Sequence, residues 1–328
     1  RCQCSLRLVF SAIAAVGDDF IWLGTRGNGL FYLDLNNAKC QKFELLDVEG
    51  NISTNASVNQ IVYEYKSGKT WVGTDQGLYE IGKGSAITHY HTNNSSLANN
   101  EIISFFKGMN ETYWVGTFNG LNYLVTTGFE SFIADRDANL HSIVAIDSSE
   151  KQGVWIASYN GLLHFDPETQ THYKSIELHP HRNFTNKKIM SLHADSDGLW
   201  VGYRSSGLEF YSIKDDKVLS FQTGSERSLS SNSITTVLTI NGGQTLVGTY
   251  GGGLNIISAE GAIDVYTFPD NRVIMLYETS DGRVWVGTES ALYQFDLGLK
   301  KLNEISVEES FYPNITKPTI WNMAEGPN

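Results

Sequence analysis

Trp71-Val72-Gly73-Thr74-Asp75-Gln76-Gly77-Leu78-Tyr79-Glu80-Ile81 is one of seven copies of a single phrase in this chain. The phrase reads Trp-Val-Gly-Thr, two or three variable residues, then Gly-Leu, followed in most copies by an aromatic. The other copies start at Trp22, Trp114, Trp155, Trp200, Leu246 and Trp285, and successive copies lie 39 to 49 residues apart. A period of roughly 40–45 residues built from short strands marks propeller blades. The recurrence also warns that most of the repeated letters serve the scaffold.

The copy around Trp285 shows how one blade is built. Arg272 to Tyr277 is a β-rich run, Asp281-Gly282 is a hairpin signal, and Val284 to Thr288 is the next strand. A short turn leads to Leu292–Asp296, and a last strand follows at about Lys301 to Val307. That makes four strands, A to D, per repeat. No sustained 3.6-residue periodicity competes with this reading. The expected fold is all-β, a seven-bladed β-propeller of four-stranded antiparallel blades over residues 5–310. Residues 311–328 are expected either to start a following repeat or to supply a closing strand, because Pro318-Thr319-Ile320-Trp321-Asn322-Met323-Ala324-Glu325-Gly326 reads as one more strand A.

Each recurring letter has a mechanical reading. In strand B, Trp and Gly share one face while Val and Thr share the other. A large ring beside a residue without a side chain lets neighbouring blades interdigitate, so the first Gly should admit a close neighbour. The second Gly falls where a tight B–C turn needs positive φ. Before strand A stands a column read as Ser11, Asn59, Asn100, His141, Lys187, Asn232 and Asn271. Asn suits such a site because its side chain bonds nearby backbone. The functional reading of the same column is that it lines the mouth of the central channel.

Composition narrows the partners. The 328 residues carry a formal net charge of −12, and no Lys/Arg run stands out, which argues against nucleic acid. No run of 18 apolar residues occurs, so no segment of the sequence reads as a membrane-spanning helix. Leu6–Val16 has the look of a short signal-peptide core, but the repeat alignment makes it the first strand of blade one. Three cysteines, Cys2, Cys4 and Cys40, give neither a disulfide framework nor a zinc set. No metal or cofactor is expected.

The phrase D-G-x-x-W-V-G-T-x-x-G-L-x-x-x-D, preceded by S-L-x-x-N-x-I, resembles the two-component regulator propeller repeat. Ser280–Thr288 and Asp197–Gly202 carry the best matches, and the resemblance runs from Ser5 to about Val307. It implies a periplasmic sensor region of a bacterial membrane protein. In that family a further sandwich domain, a transmembrane helix and a histidine kinase or diguanylate cyclase usually follow the propeller, and many members resemble sensors of polysaccharide breakdown products. The chain shows no kinase His box, ATP-binding Gly-rich box or receiver Asp motif.

B–C turns and D–A loops share one face of a propeller, around the channel. The candidate ligand-binding residues are therefore Arg26, Phe118, Asn119, Tyr159, Asn160, Tyr203, Arg204 and Tyr250, with Asn59, Asn100, His141, Lys187, Asn232 and Asn271 at the channel mouth. Aromatic faces pack on sugar rings while Arg and Asn bond hydroxyls, so the set suits an oligosaccharide or another small ligand. No HExxH, GxSxG or metal spacing appears, and no catalytic residue is assigned. The region is read as a sensor that does no chemistry, partnered by neighbouring sensor domains of its own chain and open to homodimer formation. The alternatives are a propeller lyase resembling streptogramin lyase, for which only His141 lies in a suitable column, and a pure protein-interaction platform.

Overall fold

The computed structural model describes residues 10–16, 20–46 (except 35 and 38), 51–107 (except 54, 65, 83 and 85), 113–125, 128–132, 143–149, 153–158, 161–165, 174–175, 188–279 (except 213 and 216), 282–296 and 302–305. The expected terminal segment 311–328 lies outside them.

The described strands form an all-β propeller of seven four-stranded antiparallel sheets, each a simple meander. The first sheet is β1–β4 (Phe10–Val16, Phe20–Thr25, Leu30–Asp34, Lys39–Phe43), the second β5–β8 (Val58–Glu64, Lys69–Thr74, Gly77–Ile81, Ile87–Tyr90). The third is β9–β12 (Ile102–Lys107, Tyr113–Thr117, Gly120–Val125, Gly128–Phe132), the fourth β13–β16 (Ile143–Ser149, Gly153–Ser158, Gly161–Phe165, Lys174–Ser175). The fifth is β17–β20 (Ile189–Ala194, Gly198–Tyr203, Leu208–Ser212, Lys217–Phe221), the sixth β21–β24 (Ile234–Thr239, Thr245–Thr249, Gly253–Ile257, Ile263–Tyr266). The seventh is β25–β28 (Val273–Glu278, Val284–Thr288, Leu292–Phe295, Leu302–Ile305). From β1 through β5, β9, β13, β17 and β21 to β25, the first strand of each sheet packs on the first strand of the next, so these strands surround the axis.

The core is a series of inter-sheet layers rather than one centre. Trp71 and Leu78 of the second sheet pack with Ile102, Phe105, Tyr113 and Val115 of the third. Trp155, Ala157 and Leu162 of the fourth pack with Ile189, Leu192 and Val201 of the fifth. Trp200 and Leu208 of the fifth meet Ile234, Val237 and Val247 of the sixth. The motif glycine is what permits this spacing. A β-carbon on Gly202 would stand 2.6 Å from Ile234 Cγ2, and one on Gly73 would stand 2.8 Å from Ile102 Cγ2. Real β-carbons do not approach other atoms so closely, so Val58, Ile102, Ile143, Ile234 and Val273, each the first residue of a strand A, are seated on the bare Gly24, Gly73, Gly116, Gly202 and Gly248 of the preceding sheets, whereas the fourth sheet has Ala157 at that position.

All seven first strands carry a β-bulge at their second residue, which is Ser11, Asn59, Ile103, Val144, Met190, Thr235 and Ile274 in turn. A bulge turns its side chain out of the pleat and increases twist. Repeated at one register position, it places seven side chains around the channel. The sequence reading did not anticipate it.

Candidate functional site

The B–C turns are tied to the start of strand A by one recurrent bond. The N–H of the first turn residue donates to the carbonyl just before strand A: Asp75 to Ser57 at 3.1 Å, Phe118 to Glu101 at 2.9 Å, Arg204 to Lys188 at 2.9 Å, Tyr250 to Ser233 at 2.9 Å and Glu289 to Arg272 at 3.1 Å. The five residues are therefore equivalent and stand at the rim of the channel, next to the innermost strands. Arg26 follows Thr25 at the same point of the first sheet. Behind four of the turns the motif Thr acts as a clamp: the Thr25, Thr74, Thr117 and Thr249 hydroxyls donate to the carbonyl of the Gly at or just before the start of strand C, at 2.6 to 2.8 Å. Fixed turns of this kind present variable side chains from a rigid frame.

Of the expected ligand residues, Arg26, Phe118, Asn119, Arg204 and Tyr250 are exposed on this face; Phe118 and Tyr250 are each 47% accessible. Tyr203 is a correction. It stands at the Thr position of the motif, is wholly buried, and its hydroxyl donates to the buried Glu209 at 2.8 Å. It belongs to the packing between the fourth and fifth sheets. The substitution of Tyr for the motif Thr was the signal that this side chain points inward. Tyr159, Asn160, His141 and Lys187 lie outside the described residues.

Asn59 is displaced from its expected column. It is a bulge residue, and its Nδ2 donates to the Ile102 carbonyl of the next sheet at 2.8 Å. The residue equivalent to Asn100 in that sheet is the buried Ala56, and Ser11 is shifted to the bulge in the same way. Asn100, Asn232 and Asn271 do share one position and one local task. Their Oδ1 atoms accept the N–H of Thr92 (2.8 Å), Thr223 (2.8 Å) and Phe268 (2.7 Å) in the preceding D–A loops.

The rim also holds charged residues that sequence reasoning passed over. Arg272 makes a two-bond contact with Asp270 (Nε–Oδ1 2.8 Å, Nη2–Oδ2 2.9 Å) and an ion pair with Glu289, whose Oε1 accepts the Tyr250 hydroxyl at 3.1 Å. Burial pushes the Asp270 carboxyl upward, but the bonds from Arg272 outweigh it and hold the acid below its ordinary range. Arg272 is thus committed to two acids, whereas the Arg204 guanidinium has no side-chain partner among the described residues. No group of three metal-binding side chains occurs among the described residues. The described histidine–acid pair, His193 Nδ1 and Asp147 Oδ2 at 3.1 Å, lies opposite the strand B Trp residues, on the far side of the bulges from the rim.

Residues 267–290 match the family model for the two component regulator propeller. The match spans one copy of the repeat, from the end of the sixth sheet into the seventh. No curated protein matches the chain by sequence. Among solved structures, this chain is similar to the extracellular domain of hybrid two component system BT3049 from B. thetaiotaomicron, at 18% identity and TM-score 0.65, over 97% of this chain and 49% of that one. It is similar also to the extracellular domain of one component system BT4673 from the same organism, at 18% identity and TM-score 0.57, over 90% and 46%. The chain therefore spans about half the length of these neighbours. A catalytically inactive virginiamycin B lyase from Staphylococcus aureus shares the fold at 13% identity and TM-score 0.62, over 93% and 97%. At such identities the likeness concerns the fold.

Proposed function

We propose that this propeller is the extracytoplasmic sensing region of a bacterial transmembrane signalling protein whose output is a histidine kinase or a diguanylate cyclase. It binds a small ligand, an oligosaccharide fragment, on the face formed by the B–C turns and D–A loops, and it does no chemistry. The observation that carries the reading is the rim itself: backbone-tied, equivalent positions hold Asp75, Phe118, Arg204, Tyr250 and Glu289, with Arg26 at the same point of the first sheet, while the residues beneath them repeat. A repeated frame with varied, exposed polar and aromatic groups around one concave mouth suits recognition. The family description and the extracellular neighbours support the location. Binding would act by favouring one arrangement of adjoining sensor domains, or of two chains, over another. The test is thermal denaturation of the whole chain against a glycan panel. A ligand-dependent rise in Tm that Tyr250→Ala or Phe118→Ala removes supports the reading; a panel without any shift counts against it.

The ring is proposed to close by packing of the seventh sheet on the first. Phe10, Phe31 and Cys40 of the first sheet are only 3–6% exposed and form a cluster separate from the layers between sheets one to seven. Replacing Phe31 with Asp should then cost about 2–4 kcal/mol of stability, since it puts a charge into a covered apolar layer. A loss under about 1 kcal/mol would mean that the face is open.

A further inference from the structure

An Asn followed by Gly exposes its side-chain amide to attack by its own main chain, because glycine neither shields the next N–H nor restricts the turn the backbone must make. The chain holds four such pairs, at Asn28, Asn119, Asn160 and Asn241. Asn160 lies outside the described residues. Two of the other pairs are held in place. The Gly29 N–H donates to the Ala56 carbonyl at 2.9 Å, and Asn28 Nδ2 donates to the Arg26 carbonyl at 3.3 Å. Gly120 is the first residue of β11 and pairs with Thr117, whose Oγ1 accepts the Asn119 N–H at 3.3 Å.

Asn241-Gly242 is held by neither device. It forms the turn between β21 and β22, at the end of the sixth sheet away from the rim. The turn is closed on either side by the Gly243 N–H on the Ile240 carbonyl and the Ile240 N–H on the Gln244 carbonyl, both at 3.0 Å. Asn241 and Gly242 are exposed, and neither the Asn241 side-chain amide nor the Gly242 N–H has a partner among the described residues. Nothing lies within 4 Å of the point where a β-carbon on Gly242 would stand. The attacking nitrogen is therefore open, with no hydrogen bond to give up. The Asn241 backbone, in contrast, is engaged: its N–H donates to both carboxylate oxygens of Glu278, the last residue of β25, at 3.0 and 3.1 Å. That contact ties the sixth sheet to the seventh.

We propose that Asn241 is a site of spontaneous deamidation, and that the reaction turns this tie between sheets into a repulsion between two carboxylates. The Gly242 nitrogen attacks Asn241 Cγ. The new C–N bond closes a five-membered succinimide, the Cγ–Nδ2 bond breaks, and the proton lost from the Gly242 nitrogen leaves with the amide as ammonia. Water then opens the ring. Cleavage between Cγ and the nitrogen gives aspartate. Cleavage between the backbone carbonyl carbon and the nitrogen gives isoaspartate, whose free carboxylate sits on the Cα that also bears the N–H held by Glu278. Either product sets a second negative charge beside Glu278, in a chain whose net charge is already −12. Isoaspartate also inserts Cβ into the main chain of a tight hairpin. The change runs one way and needs no ligand, so it ages the junction of sheets six and seven independently of anything bound at the mouth.

The test ages the whole chain at mildly alkaline pH, then maps its peptides by mass spectrometry with fragmentation that separates isoaspartate from aspartate. Asn241 should convert at least tenfold faster than Asn28 and Asn119, and at least tenfold more slowly in Gly242→Ala. Ageing should lower the Tm of the wild type and leave that of Gly242→Ala in place. In Glu278→Gln the Tm lost on ageing should be at most half as large, because one of the two charges is gone. Asn241→Asp carries the charge from the start and should show the same dependence on Glu278. Equal conversion at the three positions, or an Asn241 still intact when Asn28 has reacted, overturns the site. Conversion without loss of Tm, or with the same loss in Glu278→Gln, overturns the repulsion.

Discussion

The Tyr203 hydroxyl donates to Glu209 Oε2 at 2.8 Å, and both side chains are buried between blades. A carboxylate removed from water depends on such donors. At the same register position, Asn122 and Asn255 use their amides differently, accepting the N–H of Ala98 at 3.1 Å and of Ser230 at 2.9 Å. The fifth sheet thus replaces a turn clamp and a loop tie with one Tyr–Glu couple. Tyr203→Phe should destabilise by about 1–3 kcal/mol, because it keeps the packing and strips the donor. Urea unfolding checks it. Ligand affinity should stay unchanged, which separates this buried Tyr from the rim residues.

Trp200 joins packing to a polar relay. Its Nε1 donates to Asp195 Oδ2 at 3.1 Å, and that oxygen also accepts the Thr239 hydroxyl of the next sheet at 3.1 Å. Its ring packs on Phe210 at 4.5 Å and Phe221 at 5.6 Å between centroids. Trp200→Ala should cost about 3–5 kcal/mol, since it empties an inter-blade layer. Trp200→Phe should recover most of that and leave only the loss of the indole bond. Denaturant midpoints of the two variants separate the two contributions.

The second and third blades are joined by Lys107 Nζ and Glu64 Oε1 at 2.7 Å. Burial works to raise the Glu64 carboxyl, but the bonds from Lys107 and Ser67 prevail and bring it down to about 2. A lowered folded-state value means the stabilisation is complete above the ordinary carboxylate range and is lost as pH falls from about 4.5 towards 2. Glu64→Gln should therefore cost on the order of 1–3 kcal/mol at neutral pH and show a flatter acid limb over that interval. Unfolding free energies measured from pH 7 to pH 2 give the comparison.

Much of the fold was legible because the repeat states it outright. Trp71 and Gly73 on one strand face, the positive φ of Gly77 and the count of seven four-stranded sheets all follow from the phrase and its spacing. The site was less legible. Turn residues such as Phe118 and Tyr250 could be placed on one face by connectivity alone. Tyr203 could not be separated from them without noticing that it replaces a clamp Thr. Asn59 was misplaced because the bulge shifts register by one residue, and no letter pattern marks a bulge whose residue is Asn in one blade and Met in another. The Arg272–Glu289–Tyr250 contacts join two blades, and such pairings exist only once the ring is assembled.

Two glycines in neighbouring blades should respond oppositely to the same substitution. Gly202 lies in strand B of the fifth sheet, where a β-carbon would stand 2.3 Å from Ser191 Oγ and 2.6 Å from Ile234 Cγ2. Ser191 is buried and Ile234 is fixed in the next blade, so neither can yield without opening the inter-blade layer. Gly202→Ala should destabilise by about 1–3 kcal/mol as an overpacked core position does. Gly242 lies in the turn between β21 and β22, has nothing within 4 Å of an added β-carbon, and is not in the left-handed region. Gly242→Ala should stabilise by about 0.4–1 kcal/mol by restricting the unfolded chain. Its neighbour Gly243 has φ +77° and should lose stability on the same change despite equal open space. Thermal denaturation of the three single variants decides the matter: equal shifts at positions 202 and 242 would mean that the bare glycine is not what sets the distance between blades.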